Sequence, residues 1–343
     1  MSSGLSSDQI IKNEIIEKVG TTRGNVRLRI FPEGSNDDQI LFEEGGLTFG
    51  EDGIFYGSCD AVWYINNKEW IHPYNHEKLN EKPIIALEGT DALQRGSSGN
   101  AQYQRFHHAL GAVRIGLIGI YYLKPGKSPI QVDLYEMAYN ATIKEKGIYL
   151  IIQDLEIVNQ IIDIIIKFGE ESNELKEFLD NELKKMHEIW LNNKFLSQYD
   201  GDWEKFADAR STIIEDERII KYAARSKRNF TDSSQRAGHI AVGEMYLSKY
   251  FFYDKEIDYV FLRMTKNELE ELDSKDDKEW NLLRNEENVE IKTLDDIFGL
   301  PKEIREALLS IKDKPLKGDA LKIYKESAKK IVELIKTGKV VVL

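Results

Sequence analysis

The sequence predicts an α/β protein: a mixed central sheet flanked by helices, with an additional, largely helical region. Three observations predict it. Residues 83–88, PIIALE, are a nearly continuous apolar run ending in an acid, the pattern of a strand buried on both faces. A Gly/Ser loop, an amphipathic stretch and a second apolar run, LIGIYYL at 117–123, follow it in the strand–helix–strand order of an α/β core. From Leu155 to about Phe195 the apolar positions recur at helical spacing among many charges.

The remaining elements follow in chain order. Ile10, Ile11, Ile15, Ile16 and Val19 predict a helix over 8–20 with Gly20 as its stop. Pro32 to Gly53 is rich in Gly and Asp and reads as strands and turns. IFYGSCDAVWYI at 54–65 reads as a strand interrupted at Gly57 and Ser58, and Asn66–Asn67 as the turn after it. Ala101, Phe106, Ala109, Leu110 and Val113 mark one face of a helix from Asn100 to Val113. IYLII at 148–152 is a further strand. Beyond the helical stretch, residues 203–250 are mixed, with a helix from Gly238 to Phe252 and a late strand at Val260–Leu262. Segment 265–290 is mostly charge and Asn, a solvated helix or loop. The tail is a lysine-rich amphipathic helix over 319–336 and an apolar VVVL that can join a sheet edge. The division expected is a catalytic core over 1–153 and a helical, recognition region over 154–343 that can complete the core sheet.

Composition narrows the function classes. Of 343 residues, 41% are apolar and 31% charged, ordinary for a globular protein with a buried core. The lone cysteine, Cys59, excludes an intramolecular disulfide. The first residues carry no basic segment before an apolar core, and the longest apolar run, IVNQIIDIIIKF, is broken by Asn159, Gln160 and Asp163. A cytoplasmic protein without membrane association is expected. The net charge of −12 argues against a general nucleic-acid coat protein but leaves room for a local basic surface.

The chemistry-bearing residues gather between Ser58 and Leu123. Asp60 heads one strand pattern and Glu88 ends another, where two carboxylates can face one cleft. Mg²⁺ held by such a pair keeps waters that serve phosphodiester hydrolysis. Solvated strand-end acids are the alternative. After Glu88 comes DALQRGSSGN, in which Arg95, Ser97, Ser98 and the glycine amides can approach a phosphate, or form a plain connection. Gln102 and Arg105 stand near the start of the helix that follows. His72, His76, His107, His108 and Cys59 lack zinc-site spacing. No nucleophile elbow, P-loop or dinucleotide fingerprint is present, so no nucleotide cofactor is expected.

In these residues the chain resembles the PD-(D/E)XK nuclease superfamily, and more narrowly the type II restriction endonucleases. Asp60 in SCD matches the first aspartate, Glu88 in LEGT the second acid, and the helix NAQYQRFHHALGAV and strand IGLIGIYYL follow in the family's order. The resemblance covers residues 54–123, about a fifth of the chain. It departs at Cys59, where the family has proline, and at Thr90, where it has lysine. The resemblance implies a restriction-endonuclease-like core and Mg²⁺ on Asp60 and Glu88, with Thr90 in the lysine's place. It also implies double-stranded DNA as substrate, 5′-phosphate and 3′-hydroxyl ends, and a homodimer matched to a palindromic site. The alternatives are a DNA-binding module that kept the nuclease fold without catalysis, and a structure-specific repair nuclease.

A recognition surface is sought where the charge reverses. Between Arg218 and Lys249 stand seven cations, among them Arg225, Lys227, Arg228 and Arg236, against two acids, Asp232 and Glu244. With His239 these residues can grip phosphates or read base edges; a solvated helix face is the alternative.

Overall fold

Pairing of apolar strands organises the first part of the chain. The computed structural model describes residues 7–30, 47–94, 102–197, 212–231, 236–275 and 278–343, and they divide into two units, 1–194 and 195–343. The first unit opens with helix α1 (Ser7–Val19) and contains strands β1 (Thr22–Arg23), β2 (Val26–Ile30), β3 (Phe49–Glu51), β4 (Ile54–Gly57), β5 (Ala61–Ile71) and β6 (Lys78–Thr90). Helix α2 (Phe106–Arg114), strand β7 (Ile118–Leu123), helix α3 (Asp133–Lys144), strand β8 (Ile148–Ile152), and helices α4 (Glu156–Phe168) and α5 (Asn173–Asn193) complete it.

The central sheet runs β1-β2-β5-β6-β7-β8. Strands β2, β5 and β6 pair antiparallel, whereas β6, β7 and β8 run parallel, so the sheet is mixed and flanked by helices as expected. The parallel half is the part whose strands are continuously apolar: every residue of β7 is buried. Asn66–Asn67 is not a turn. Strand β5 continues through it to Ile71 with a register shift between Asn66 and Trp70, and Asn67 takes φ +57°. An Asn tolerates that left-handed conformation, so the chain forms a bulge where two Asn read as a reversal.

The expected boundary at 153/154 falls instead at 194/195. The stretch from 155 to 195 is two helices, broken where Gly169 takes φ +94° and Ser172 caps α5 by accepting the Leu175 N–H. Val158, Ile161, Ile162 and Ile165 of α4, and Leu175, Leu179, Leu183, Met186 and Trp190 of α5, are buried. Helix α5 packs on β8, α3 and α4, and α4 on α1, so both helices cover the first sheet rather than begin the second unit.

The second unit carries the further helices expected of it, but it does not extend the first sheet. It has a sheet of its own, ordered β12-β11-β10-β9. The strands are β9 (Thr212–Ile214), β10 (Arg218–Ala223), β11 (Glu256–Phe261) and β12 (Val289–Thr293), the last three parallel. Between them run α6 (Lys227–Thr231), α7 (Arg236–Phe251), α8 (Lys266–Asp273) and α9 (Lys278–Arg284). The charged segment 265–290 supplies α8 and α9, which bury Leu269, Leu272, Trp280, Leu282 and Leu283. Few apolar residues among many charges suffice when all lie on one face. After β13 (Ile297–Phe298) come α10 (Lys302–Leu309), α11 (Gly318–Lys336) and β14 (Val341–Val342). The apolar terminus pairs with β13 in a separate ribbon.

Among the described residues, no helix is long and apolar enough to cross a membrane.

Candidate active site

Asp60 immediately precedes β5 and Glu88 lies near the end of β6. The β5–β6 register sets Ala61 against Leu87, and its continuation sets Asp60 against Glu88. Asp60 Oδ2 accepts the Gly89 N–H at 2.9 Å, which holds the carboxylate against β6. Both acids are buried, at 8% and 4% exposure. Burial disfavours a charged carboxylate, and a second one beside it adds repulsion. Burial first, and Glu88 second, hold the Asp60 carboxyl well above its ordinary range. Burial pushes Glu88 up to about 7, against the pull of the Arg105 cation. Each acid thus makes the other harder to ionise, and a cation beside them eases both.

The cation that reaches them is Arg105, just before α2. Its Nη1 donates to Glu88 Oε1 at 2.9 Å and to the Gly89 carbonyl at 3.3 Å, and Nη2 donates to Asp8 Oδ1 at 2.6 Å. Burial works against its charge, but Glu88 and Asp8 more than offset that and raise its pKa. Asp8 arrives on the first turn of α1, which crosses β6 at Gly89. A Cβ on Gly89 would lie 2.3 Å from Ile11 Cγ2, so only glycine permits that approach. The sequence reading missed Asp8. A signal was present: Asp8 shares a helix face with Ile11 and Ile15, both fully buried.

Thr90 is buried, and its hydroxyl accepts the Ala92 N–H at 3.2 Å. Its carbonyl accepts the N–H of Lys124, the residue after β7, at 2.9 Å, and Lys124 Nζ pairs with Glu14 of α1 at 2.7 Å. Burial would raise the Glu14 pKa, but hydrogen bonds from Lys124 and Lys18 bring it below its usual value. His108 Nδ1 lies 2.7 Å from the Ser58 carbonyl and so carries the donated proton; burial lowers its pKa to about 4, leaving the ring neutral.

The expected DNA contacts divide. Arg95, Ser97 and Ser98 lie outside the described residues. Gln102 is turned inward: Nε2 donates to the Pro129 carbonyl at 3.1 Å and Oε1 accepts the Gln131 N–H at 2.9 Å, so its amide fastens the segment before α3. Arg105 joins the carboxylates. The others belong to the second unit. Arg225 pairs with Glu244 at 3.4 Å, Lys227 with Glu271, and Arg228 Nη1 donates to the Asp313 carbonyl at 3.1 Å. Arg236 and His239 stand on the first turn of α7. Of the other cations, Lys221 and Lys249 are buried, Lys249 paired with Glu286, while the half-buried Arg218 is paired with Asp258. The stretch is thus less positive at its surface than its composition, because a strand and a helix face draw Lys221 and Lys249 into the interior.

Among the described residues no three His, Cys, Asp or Glu side chains are grouped to hold a metal ion. The donor set at Asp60 and Glu88 is nonetheless all oxygen: two carboxylates and the Gly89 carbonyl. Arg105 Nη1 shows that a positive group fits between Glu88 Oε1 and that carbonyl. Hard oxygen donors in small number suit Mg²⁺, which keeps most of its waters, and are a poor set for Zn²⁺. Cys59 is buried and free.

Comparison with protein-family models, with curated proteins and with solved structures finds no match to this chain.

Proposed function

We propose that the chain is a Mg²⁺-dependent endodeoxyribonuclease of restriction type, cutting double-stranded DNA to leave 5′-phosphate and 3′-hydroxyl ends. The observation that carries the reading is the buried Asp60–Glu88 pair on neighbouring strands, one carboxylate fixed by the Gly89 amide. Placing two acids together out of water opposes stability, and a function that needs their charge accounts for their presence. The central sheet supports the same reading: α1, the antiparallel strands β2, β5 and β6, then α2 and the parallel strand β7, with Asp60 just before β5 and Glu88 near the end of β6.

Asp60 and Glu88 would hold the metal, with the Gly89 carbonyl as a further oxygen. Bound there, Mg²⁺ supplies Lewis-acid stabilisation of the scissile phosphate and makes a water acidic. The Gly89 amide keeps Asp60 in one orientation, and Arg105 keeps positive charge beside Glu88 where the Thr90 side chain has none. A homodimer acting in the cytoplasm, with Arg225, Lys227, Arg228, Arg236 and His239 in recognition, belongs to this proposal.

Thr90 favours one competing reading, a DNA-binding module without catalysis, since its hydroxyl is engaged by the Ala92 amide. Incubation of the full chain with plasmid DNA and Mg²⁺ separates the readings. Discrete bands are expected; a smear indicates a nuclease without sequence choice, and retained mobility shift without cutting indicates the binding module.

A further inference from the structure

Three carboxylates, those of Asp8, Asp60 and Glu88, gather around Arg105, and its two ends do different things. Nη1 sits between Glu88 Oε1 and the Gly89 carbonyl, while Nη2 is held by Asp8 on another element. The Nη1 position is a cation position: both of its partners are oxygens of the kind a hard divalent ion takes. A guanidinium and a divalent ion cannot share those oxygens, because the fork is rigid and two positive groups a few ångströms apart repel strongly in a partly buried site. Loss of the Nη1 bonds leaves the Nη2–Asp8 bond intact, so the side chain has an anchor when it moves. It also has an open direction, being 26% exposed, unlike the two acids.

We propose that Arg105 is a positioning residue that fills the cation place between Glu88 and the Gly89 carbonyl in the resting protein, and is displaced onto its Asp8 anchor when the divalent ion enters. The proposal rests on the metal-site reading above. Arg105 thus keeps the acidic cluster partly neutralised without metal, and afterwards presents a free guanidinium end beside Glu88, the positive group that Thr90 does not supply. Asp8 is the device that retains it.

Metal binding and cleavage should then respond to Arg105 with opposite signs. Mn²⁺ binding by the full chain is measured by electron paramagnetic resonance without DNA, with circular dichroism as the check on folding. R105Q removes the competing cation and should bind Mn²⁺ about tenfold more tightly than the wild type, while cleaving DNA more slowly at saturating metal. R105K, which keeps the charge but not the fork, should fall between them. In the wild type, the Arg105 Nε–Hε resonance should shift as MgCl₂ is added, a readout that needs no variant. Equal or weaker Mn²⁺ binding by a folded R105Q, or an Arg105 resonance unmoved at saturating Mg²⁺, overturns the displacement while leaving the metal site standing. Absence of Mn²⁺ binding in both wild type and R105Q overturns the metal site itself, and the displacement with it.

Discussion

Both units bury acids, but they balance them differently. In the second unit each buried carboxylate meets its own cations: Glu286 pairs with Lys249 at 2.5 Å and accepts the Tyr246 hydroxyl, and Asp258 pairs with Arg218 and, at 3.2 Å, with Lys292. In the first unit Asp60 and Glu88 lie together, and the cation reaching them, Arg105, is shared with Asp8. A buried acid with matched partners is a structural tie whose removal exposes its mate. Two adjacent acids sharing one guanidinium retain a demand for positive charge, and that unmet demand distinguishes a candidate cation site from a staple.

The widest separation between the two arrangements should appear in activity. Asp60→Ala and Glu88→Ala should each reduce cleavage by about 10²–10³-fold or more, because a site with so few carboxylates cannot spare one. Plasmid cleavage at saturating Mg²⁺ measures this, and a mutant that cuts like the wild type would remove these acids from the site. Lys249→Met should act on stability instead. It leaves the buried Glu286 without its lysine and should cost about 3–5 kcal/mol in denaturant unfolding. A cost under about 1 kcal/mol would show that this pair is no staple.

The next effect concerns pH and carries the opposite sign. The Glu88 carboxyl is raised to about 7 in the folded chain, above its ordinary value of 4.5. Its contribution to stability is fully present below the unfolded value and is lost as pH rises through about 7. Glu88→Gln does not titrate, so its stability relative to wild type should improve by about 1–3 kcal/mol between pH 5 and pH 8 in chelator. Parallel stability–pH profiles for the two proteins would mean that Glu88 ionises in the folded state as easily as in water. The smallest effect belongs to Thr90→Ala, which should slow cleavage well below the loss from either acid, since a hydroxyl engaged by the Ala92 amide supplies no charge. Full loss of cutting with Mn²⁺ binding retained would give Thr90 a larger share.

Local signals carried much of the first unit. The apolar runs at 83–88, 117–123 and 148–152 became β6, β7 and β8 because continuous β-branched and aromatic residues fill a sheet covered on both faces. They also brought Asp60 and Glu88 within view of each other, as acids at the ends of neighbouring patterns. The basic stretch was less legible. Lys221 sits in a strand whose flanking residues are buried, and Lys249 ends α7 against Glu286, a partner 37 residues away. Composition counts such cations without showing which face of an element they occupy.

The sequence by itself determined the α/β class, most of the strands and helices, and the presence of two acids at strand ends, because periodicity, turn residues and caps act over a few residues. Tertiary structure alone decided that α4 and α5 close the first unit and that residues beyond 194 build a second sheet. It also decided that Arg105 turns to Glu88 and Asp8 rather than outward, and that α1 crosses at Gly89 to bring Asp8 there. Asp8 and Arg105 are 97 positions apart. A pairing at that separation depends on which surfaces meet when the chain folds, and no local pattern of side chains encodes it.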